Sequence, residues 1–121
     1  MNTLDQQRAQ YAWERAKRNT TAVGGYREMV KGAPALIMGN GLMATLAYYR
    51  SRTGSNERAA SVLLEDVLGW LAKRKIVPAD FSSAMAAFFN AEAQDVMRAT
   101  DETLAMLRWL RQFADAVEDA R

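Results

Sequence analysis

The sequence contains no cysteine and no histidine. Without cysteine the chain has no disulfides, thiolate metal sites or thiol nucleophiles, so an intracellular location is the simpler interpretation. Without histidine it lacks the usual proton shuttle at neutral pH and the commonest ligand of transition metals. Most designs for hydrolases and metalloenzymes are therefore excluded. We expect a protein that is not an enzyme and that has no catalytic residues, metal site or other cofactor.

Proline and long apolar runs are also scarce. Only two prolines occur among 121 residues, and alanine, leucine, methionine, glutamine and arginine are abundant, which favours helices. Half of the residues are apolar and a quarter are charged, as in a compact globular domain. No run of about eighteen apolar residues is present, and the first twenty residues carry six charged side chains. We therefore expect no membrane span, no secretory signal and a cytoplasmic protein.

Helical periodicity divides the chain into five or six helices without a strand, which predicts an all-α, compact single-domain bundle over residues 1–121. The first helix is expected to begin near Thr3, whose spacing to Gln6 is that of a capping box. It is expected to end at about Val23. One side of this helix carries its packing residues, which are Ala9, Ala12, Trp13, Ala16 and Val23.

Glycine and proline mark the expected boundaries of the next helices. A short helical segment from Tyr26 is expected to close at Gly32, with Pro34 in the first turn of a new helix that continues to Arg52. The Gly-Asn-Gly run at residues 39–41 interrupts this helix and costs about 1 kcal/mol per glycine relative to alanine. We expect another helix to approach the bare backbone there. A kink or a break between two helices is the alternative.

The second half of the chain is predicted to contain three helices. Asn56 is a good N-cap for a helix over residues 57–74. A wide apolar arc indicates that this helix packs deeply, and it comprises Ala59, Leu63, Leu64, Val67, Leu68, Trp70 and Leu71. Asp80 or Ser82 can cap a short helix that runs through Phe89, and the last helix is expected over residues 91–117.

The last predicted helix contains the most informative stretch of the sequence, T-x-E-x-L-x-x-L-x-W-L-x-x-F-A at residues 100–114. Polar residues such as Arg108 and Gln112 share one face of this helix. The opposite face is apolar and carries Val96, Ala99, Thr103, Met106, Leu107, Leu110, Phe113, Ala114 and Val117. Trp109 lies at the edge of the apolar face, where it either closes the core or reaches a partner subunit. We expect it in the core.

Three elements in this order resemble a known family. They are an alanine-rich first helix, the segments Pro-Ala-Leu-Ile and Asn-Gly-Leu at residues 34–37 and 40–42, and the Trp-Leu-x-x-Phe-Ala ending. Together they resemble the small helical subunit of the type III-B CRISPR effector complex, the Cmr complex, over nearly the whole chain. The resemblance implies a non-catalytic subunit in antiviral defence, stacked in several copies along a guide RNA paired with its target. Its implied partners are the backbone of that RNA duplex, other effector subunits and neighbouring copies of itself, with no membrane.

Basic side chains form three groups that could contact RNA. Residues 1–58 carry a net charge of +5 and residues 59–121 carry −3, an asymmetry that can mark a nucleic-acid surface. Arginine offers fixed donors to phosphate, and tyrosine can stack on an unpaired base. The candidate nucleic-acid-binding residues are Arg8, Tyr11, Arg15 and Arg18 in the first group, Arg50, Arg52 and Arg58 in the second, and Lys73, Arg74 and Lys75 in the third.

Each of these groups also has an interpretation without RNA. The first can be a solvated face that Asp5 and Glu14 partly neutralise, and the others can complement helix dipoles. Arg58 is an exception, because positive charge is unfavourable in the first turn of a helix. Two alternative functions stay open as well. One is a helical protein–protein adaptor whose basic half meets an acidic partner, and the other is the small subunit of a type III-A effector complex.

Neighbouring carboxylates occur at residues 65–66, 101–102 and 118–119. Successive side chains on a helix point about 100° apart, so such pairs cannot easily share a metal ion or a proton. We expect all six carboxylates to lie on solvated surface.

Overall fold

The computed structural model describes residues 2–119, without the side chains of residues 118 and 119. Over this range it contains six helices and no strand, which confirms the all-α prediction. The helices are α1 (Leu4–Asn19), α2 (Tyr26–Asn40), α3 (Leu42–Ser51), α4 (Glu57–Lys73), α5 (Phe81–Phe89) and α6 (Ala93–Asp119). In the part of the chain that the structure describes, no helix is both long enough and apolar enough to cross a membrane.

Helix α1 begins as predicted but ends four residues early. The hydroxyl of Thr3 accepts a hydrogen bond from the backbone N–H of Gln6 at 3.1 Å, and the Gln6 side chain accepts one from the Thr3 N–H at 2.8 Å. The capping box is therefore confirmed. The helix ends at Asn19, whose side-chain amide binds Asp66 of α4. The following residues turn so that Val23 re-enters the core.

The packing side of α1 is only partly as predicted. Ala12 and Ala16 are fully buried, and Ala9 is half-buried. Trp13 is 38% exposed, which corrects its assignment to the core. Its ring packs nearly perpendicular to that of Phe113 at a centroid distance of 5.3 Å, so the indole lies on α6 near the surface rather than filling the interior.

Helix α2 continues through Gly32 and Pro34, so the predicted boundary there is wrong. A proline inside a helix removes one backbone hydrogen bond and crowds the preceding turn, at a cost of about 3 kcal/mol. Val30, Ala33 and Ile37 lie on the buried side of this helix. Their packing on both sides of Pro34 outweighs its local cost, and the helix therefore passes through it.

The interruption falls at Gly41, which separates α2 from α3. Its φ of 88° is a conformation that residues with a side chain rarely adopt. A Cβ atom placed on Gly39 or Gly41 would meet no other part of the protein within 4 Å. The expected close approach of another helix is therefore wrong, and the alternative, a break between two helices, is correct.

Helices α4 and α6 together supply about half of the buried apolar residues. All seven residues of the predicted apolar arc of α4 are buried, as are six of the nine residues on the predicted apolar face of α6. Trp109 stacks on Phe113 at a centroid distance of 5.6 Å and donates its indole N–H to Asp5 at 3.1 Å. It therefore packs within the chain, as expected. Asp80 caps α5 through the backbone N–H of Ser83.

Helix α4 ends in a Schellman turn. The backbone N–H of Lys75 donates to Ala72 and that of Ile76 donates to Leu71, both at 2.9 Å. Lys75 has a φ of 60°, at the position where glycine is usual. A side chain in this left-handed conformation costs about 1 kcal/mol.

Candidate nucleic-acid interface

Arg8, from the first basic group, faces α6. Its Nε donates to Glu102 Oε1 at 2.7 Å, and its Nη2 donates to Glu102 Oε2 at 3.0 Å. Its Nη1 contacts Asp5 at 3.2 Å. These donors are therefore used within the protein, and the side chain is only 19% exposed. Arg8 is a poor choice for a phosphate contact in this arrangement.

Glu102 is buried, so the prediction of a solvated carboxylate is wrong for this residue. Besides the two bonds from Arg8, it accepts the indole N–H of Trp70 at 3.1 Å. The hydrogen bond from Arg8 lowers the pKa of Glu102 below its usual range. A carboxylate can be buried when charged and polar donors satisfy it in this way. Asp101, its neighbour, is exposed as predicted.

Tyr11 is a core residue with only 5% of its surface exposed. Its hydroxyl donates to the backbone oxygen of Asp66 at 2.6 Å, and its ring is tilted against Trp70 at 5.1 Å. The Arg15 guanidinium lies 4.9 Å from the ring centroid, and the Lys73 ammonium lies 6.0 Å from it. A base cannot stack on a ring packed in this way, so that expectation is corrected. The ring instead lies within cation–π distance of both side chains.

Arg15, Arg18 and Arg58 meet at one pocket between α1 and α4. This arginine pocket, named for those three residues, has a volume of about 440 Å³. Arg18 and Arg58 are exposed, and Arg15 is half-buried. The structure thus brings members of the first and second basic groups together. The remaining lining residues are Asn19, Val62, Glu65, Asp66 and Ala79.

Asp66 places a buried carboxylate in the wall of the arginine pocket. Only 1% of the residue is exposed, so its predicted solvated position is wrong. Its Oδ2 accepts hydrogen bonds from the Tyr26 hydroxyl and from Asn19 Nδ2, the latter at 3.0 Å. Its Oδ1 lies 3.7 Å from Arg15 Nη1. Burial raises the pKa of Asp66 to about 6, although the Tyr26 hydrogen bond and the Arg15 charge act against the rise.

The second basic group and Lys75 have other surroundings. The Arg50 guanidinium lies 5.8 Å from the centroid of Phe81. Arg52 lies 5.5 Å from the ring of Tyr48 and donates to its hydroxyl. Lys75 lines a separate pocket of about 260 Å³. Of the second group, the structure therefore brings only Arg58 to the arginine pocket.

The other two residues of the third basic group, Lys73 and Arg74, contact different side chains. The Lys73 ammonium lies 6.0 Å from the centroid of the Tyr11 ring, at the end of α4. Arg74 turns towards Glu102, with its Nε 3.9 Å from the carboxylate. These two consecutive residues therefore serve different parts of the molecule.

The remaining acidic residues build no metal centre in the described part of the chain. Glu65 is exposed at the rim of the arginine pocket, as predicted. The side chains of Glu118 and Asp119 lie outside the described residues. Among the described residues, no three acidic side chains are close enough to hold an ion.

Two residues of the arginine pocket, Asn19 and Asp66, were not predicted from the sequence. One signal could have found Asp66. It lies three residues after Leu63 and four before Trp70, inside the apolar arc of α4. A carboxylate within such an arc needs buried donors. Asn19 supplies one of them from the last turn of α1.

Known proteins resemble this chain in both sequence and architecture. Residues 4–117 match the model of a family described as CRISPR-associated protein (Cas_Cmr5). A relative from Thermus thermophilus, described as CRISPR system Cmr subunit Cmr5, is 31% identical over 119 residues, which are 97% of each chain. The X-ray crystal structure of a Cmr5 family protein from that organism has a TM-score of 0.78 and 30% identity, over 97% of this chain and 98% of that one. The resemblance found in the sequence is confirmed: the chain belongs to the Cmr5 family of CRISPR-associated proteins.

Proposed function

We propose that this chain is the small, non-catalytic subunit of a type III-B Cmr effector ribonucleoprotein, which acts in antiviral defence. We propose further that its arginine pocket contacts the backbone of the duplex between guide and target RNA. Membership of the Cmr5 family supports the first part. The second part rests on one observation, the convergence of Arg15, Arg18 and Arg58 from two helices on a single pocket.

Three guanidinium groups around one pocket suit a phosphate. Each guanidinium is permanently charged and presents planar donors that match phosphate oxygens. In this proposal the pocket neutralises backbone charge and holds the duplex in place, while base pairing between guide and target reads the sequence.

Several copies act together in this proposal. A single pocket offers few phosphate contacts, so one isolated copy binds RNA weakly. Copies stacked side by side along the duplex, and held by the other effector subunits, engage the backbone at a high effective concentration. In this proposal the chemical steps of the complex belong to other subunits, which agrees with the lack of histidine and cysteine in this chain.

The test replaces all three pocket arginines with alanine in R15A/R18A/R58A. A matched control, R98A/R108A/R111A, removes the same charge from exposed positions of α6. RNA binding by the assembled complex, or by concentrated protein, is measured across a salt titration. We expect the pocket variant to lose affinity for unrelated RNA sequences alike. The magnitude of the slope of log affinity against log salt should fall by about 2 to 3, since each lost phosphate contact removes about 0.7 to 0.9.

The control variant distinguishes the loss of pocket contacts from a general effect of net charge. Both variants are first compared with the parent by circular dichroism, so that loss of binding is not loss of fold. The proposal is supported if only the pocket variant shows a lower affinity and a shallower dependence of affinity on salt. Equal losses in both variants indicate an effect of net charge, and no loss in the pocket variant leaves the adaptor function as the better interpretation.

A further inference from the structure

The arginine pocket contains a feature that a simple phosphate site does not need, the buried carboxylate of Asp66. A carboxylate beside an anion is repelled by it, so its presence weakens phosphate binding unless the ligand also offers a donor. Asp66 forms an ion pair with Arg15, but a loose one. The 3.7 Å between Asp66 Oδ1 and Arg15 Nη1 is too long for a direct hydrogen bond.

The two oxygens of Asp66 differ in their surroundings. Oδ2 accepts from the Tyr26 hydroxyl and from Asn19. Burial raises the pKa of Tyr26, so its phenol keeps the proton that it donates. These two donors, from α2 and α1, fix the orientation of the carboxylate. Oδ1 is left with unused acceptor capacity on the side where Arg15 lines the pocket.

A ligand that fits this pocket therefore carries an anion and a hydrogen-bond donor close together. A phosphodiester supplies the anion but has no proton to donate. In RNA, the ribose next to each phosphate carries a 2′-hydroxyl group, which is a donor, whereas DNA has none. A 2′-hydroxyl is the group by which proteins distinguish RNA from DNA at a given contact.

We propose that Asp66 Oδ1 accepts a hydrogen bond from a ribose 2′-hydroxyl while the pocket arginines hold the adjacent phosphate. This inference rests on the proposed function, because it takes RNA as the ligand. It assigns Asp66 as a specificity-determining residue that makes the pocket prefer RNA to DNA. The hydrogen bond to a charged oxygen compensates for the repulsion between the carboxylate and the phosphate.

The test compares two 12-base-pair duplex probes of the same sequence in fluorescence anisotropy at low salt. One is RNA, and the other carries 2′-fluoro groups, which keep an RNA-like sugar but donate no hydrogen bond. We expect the parent protein to bind the RNA probe about tenfold more tightly, the ratio that one charge-assisted hydrogen bond gives. A ratio near one would overturn the proposal by itself, without any variant.

Two variants, each with one pocket carboxylate replaced, then show which residue causes the preference for RNA. Asp66→Asn removes the charged acceptor but keeps an oxygen for Tyr26 and Asn19, and its fold is checked by circular dichroism. Glu65→Gln removes the same charge from the exposed rim of the pocket. Both variants should bind the 2′-fluoro probe somewhat more tightly, since a negative charge is lost. Only Asp66→Asn should reduce the ratio, to about twofold or less.

Failures of the two proposals give different results. If the ratio stays tenfold in Asp66→Asn, or falls equally in Glu65→Gln, then Asp66 does not read the 2′-hydroxyl. If R15A/R18A/R58A also binds RNA like the parent, the pocket is not the RNA site, and the proposed contact itself fails. If that triple variant loses binding while the parent ratio is near one, the phosphate contact stands and only the role of Asp66 is refuted.

Discussion

Two arginines of α1 face buried carboxylates in contrasting ways. Arg8 forms two hydrogen bonds with Glu102, at 2.7 and 3.0 Å. Arg15, two turns further along the same helix, stays 3.7 Å from Asp66. The pKa of Glu102 is lowered by its hydrogen bond from Arg8, whereas burial raises the pKa of Asp66 to about 6.

This difference distinguishes an ion pair that stabilises the fold from one that can still contact a ligand. The Arg8–Glu102 pair is closed, because both carboxylate oxygens and most guanidinium donors have partners within the chain. The Arg15–Asp66 pair is loose and borders a pocket that is open to solvent. A completed pair fixes α1 against α6, whereas an incomplete pair keeps charge and acceptor capacity for a ligand. Four predictions test or refine this comparison.

The largest effect is expected when the closed pair is broken. Glu102→Ala leaves Arg8 and the buried indole N–H of Trp70 without their acceptor. Removing one partner of a buried pair costs about 3 to 5 kcal/mol, and the partial exposure of Arg8 places this case at about 3 kcal/mol. Urea denaturation measures the loss. Glu65→Ala, an exposed carboxylate, is the control and should change stability by less than about 0.5 kcal/mol.

Tyr11 lies between Arg8 and Arg15 on α1, and its hydroxyl packs against Gly69. A Cβ atom on Gly69 would lie 2.7 Å from the Tyr11 hydroxyl, which cannot retreat because it is bonded to Asp66. Gly69→Ala should therefore lower the free energy of unfolding by about 2 kcal/mol, as overpacking does. Gly32→Ala, where a Cβ meets nothing within 4 Å, should instead raise it by up to about 1 kcal/mol. Equal effects of the two substitutions would contradict this contact.

The two carboxylates should change stability with pH in opposite directions. The pKa of Asp66 is raised to about 6 in the folded state, so its contribution is complete below about pH 4 and is lost as pH rises through about 6. The contribution of Glu102, whose pKa is lowered, is present above about pH 4.3 and is lost as pH falls.

Asp66→Asn isolates the first of these contributions. Its free energy of unfolding relative to the parent should rise by about 1 to 2 kcal/mol between pH 4.5 and 7.5. Denaturation at several pH values measures this difference. A difference that is constant across the range would show that Asp66 titrates alike in the folded and unfolded states.

The smallest effect is expected at the end of α4, the helix that carries both Asp66 and Trp70. Lys75→Gly should stabilise the protein by about 0.5 to 1 kcal/mol, because glycine adopts the left-handed conformation at this position without strain. Lys75→Ala removes the same charge but keeps the strain, and should be close to neutral. Thermal unfolding of the two variants side by side distinguishes conformation from charge.

Elements with a continuous local pattern could be predicted from the sequence. The capping box at Thr3 and the apolar sides of α4 and α6 are examples, because each depends on residues a few positions apart. Pro34 shows the limit of such rules: its local cost is visible in the sequence, but the tertiary packing that outweighs it is not.

The candidate site could be predicted only in part. Arg15, Arg18 and Arg58 were identified as cations, but their convergence depends on how α1 crosses α4. The burial of Asp66 and Glu102 was missed because their decisive partners are distant in sequence. Asn19 is 47 residues from Asp66, and Arg8 is 94 residues from Glu102. The position of Asp66 within the apolar arc of α4 indicates burial, but the distant donors that satisfy a buried carboxylate cannot be identified from its neighbours in the sequence.

The contacts between α1 and α6 have a consequence for how the protein is made. They join Asp5 to Trp109 across 104 residues and Arg8 to Glu102 across 94. A ribosome adding about 5 to 20 residues per second therefore needs roughly 5 to 20 seconds to follow α1 with α6. During that interval the side of α1 that meets α6 has no permanent partner. The domain can complete its folding only after α6 has left the ribosome. A nascent chain that is stalled before residue 100 should therefore stay a substrate for chaperones and proteases.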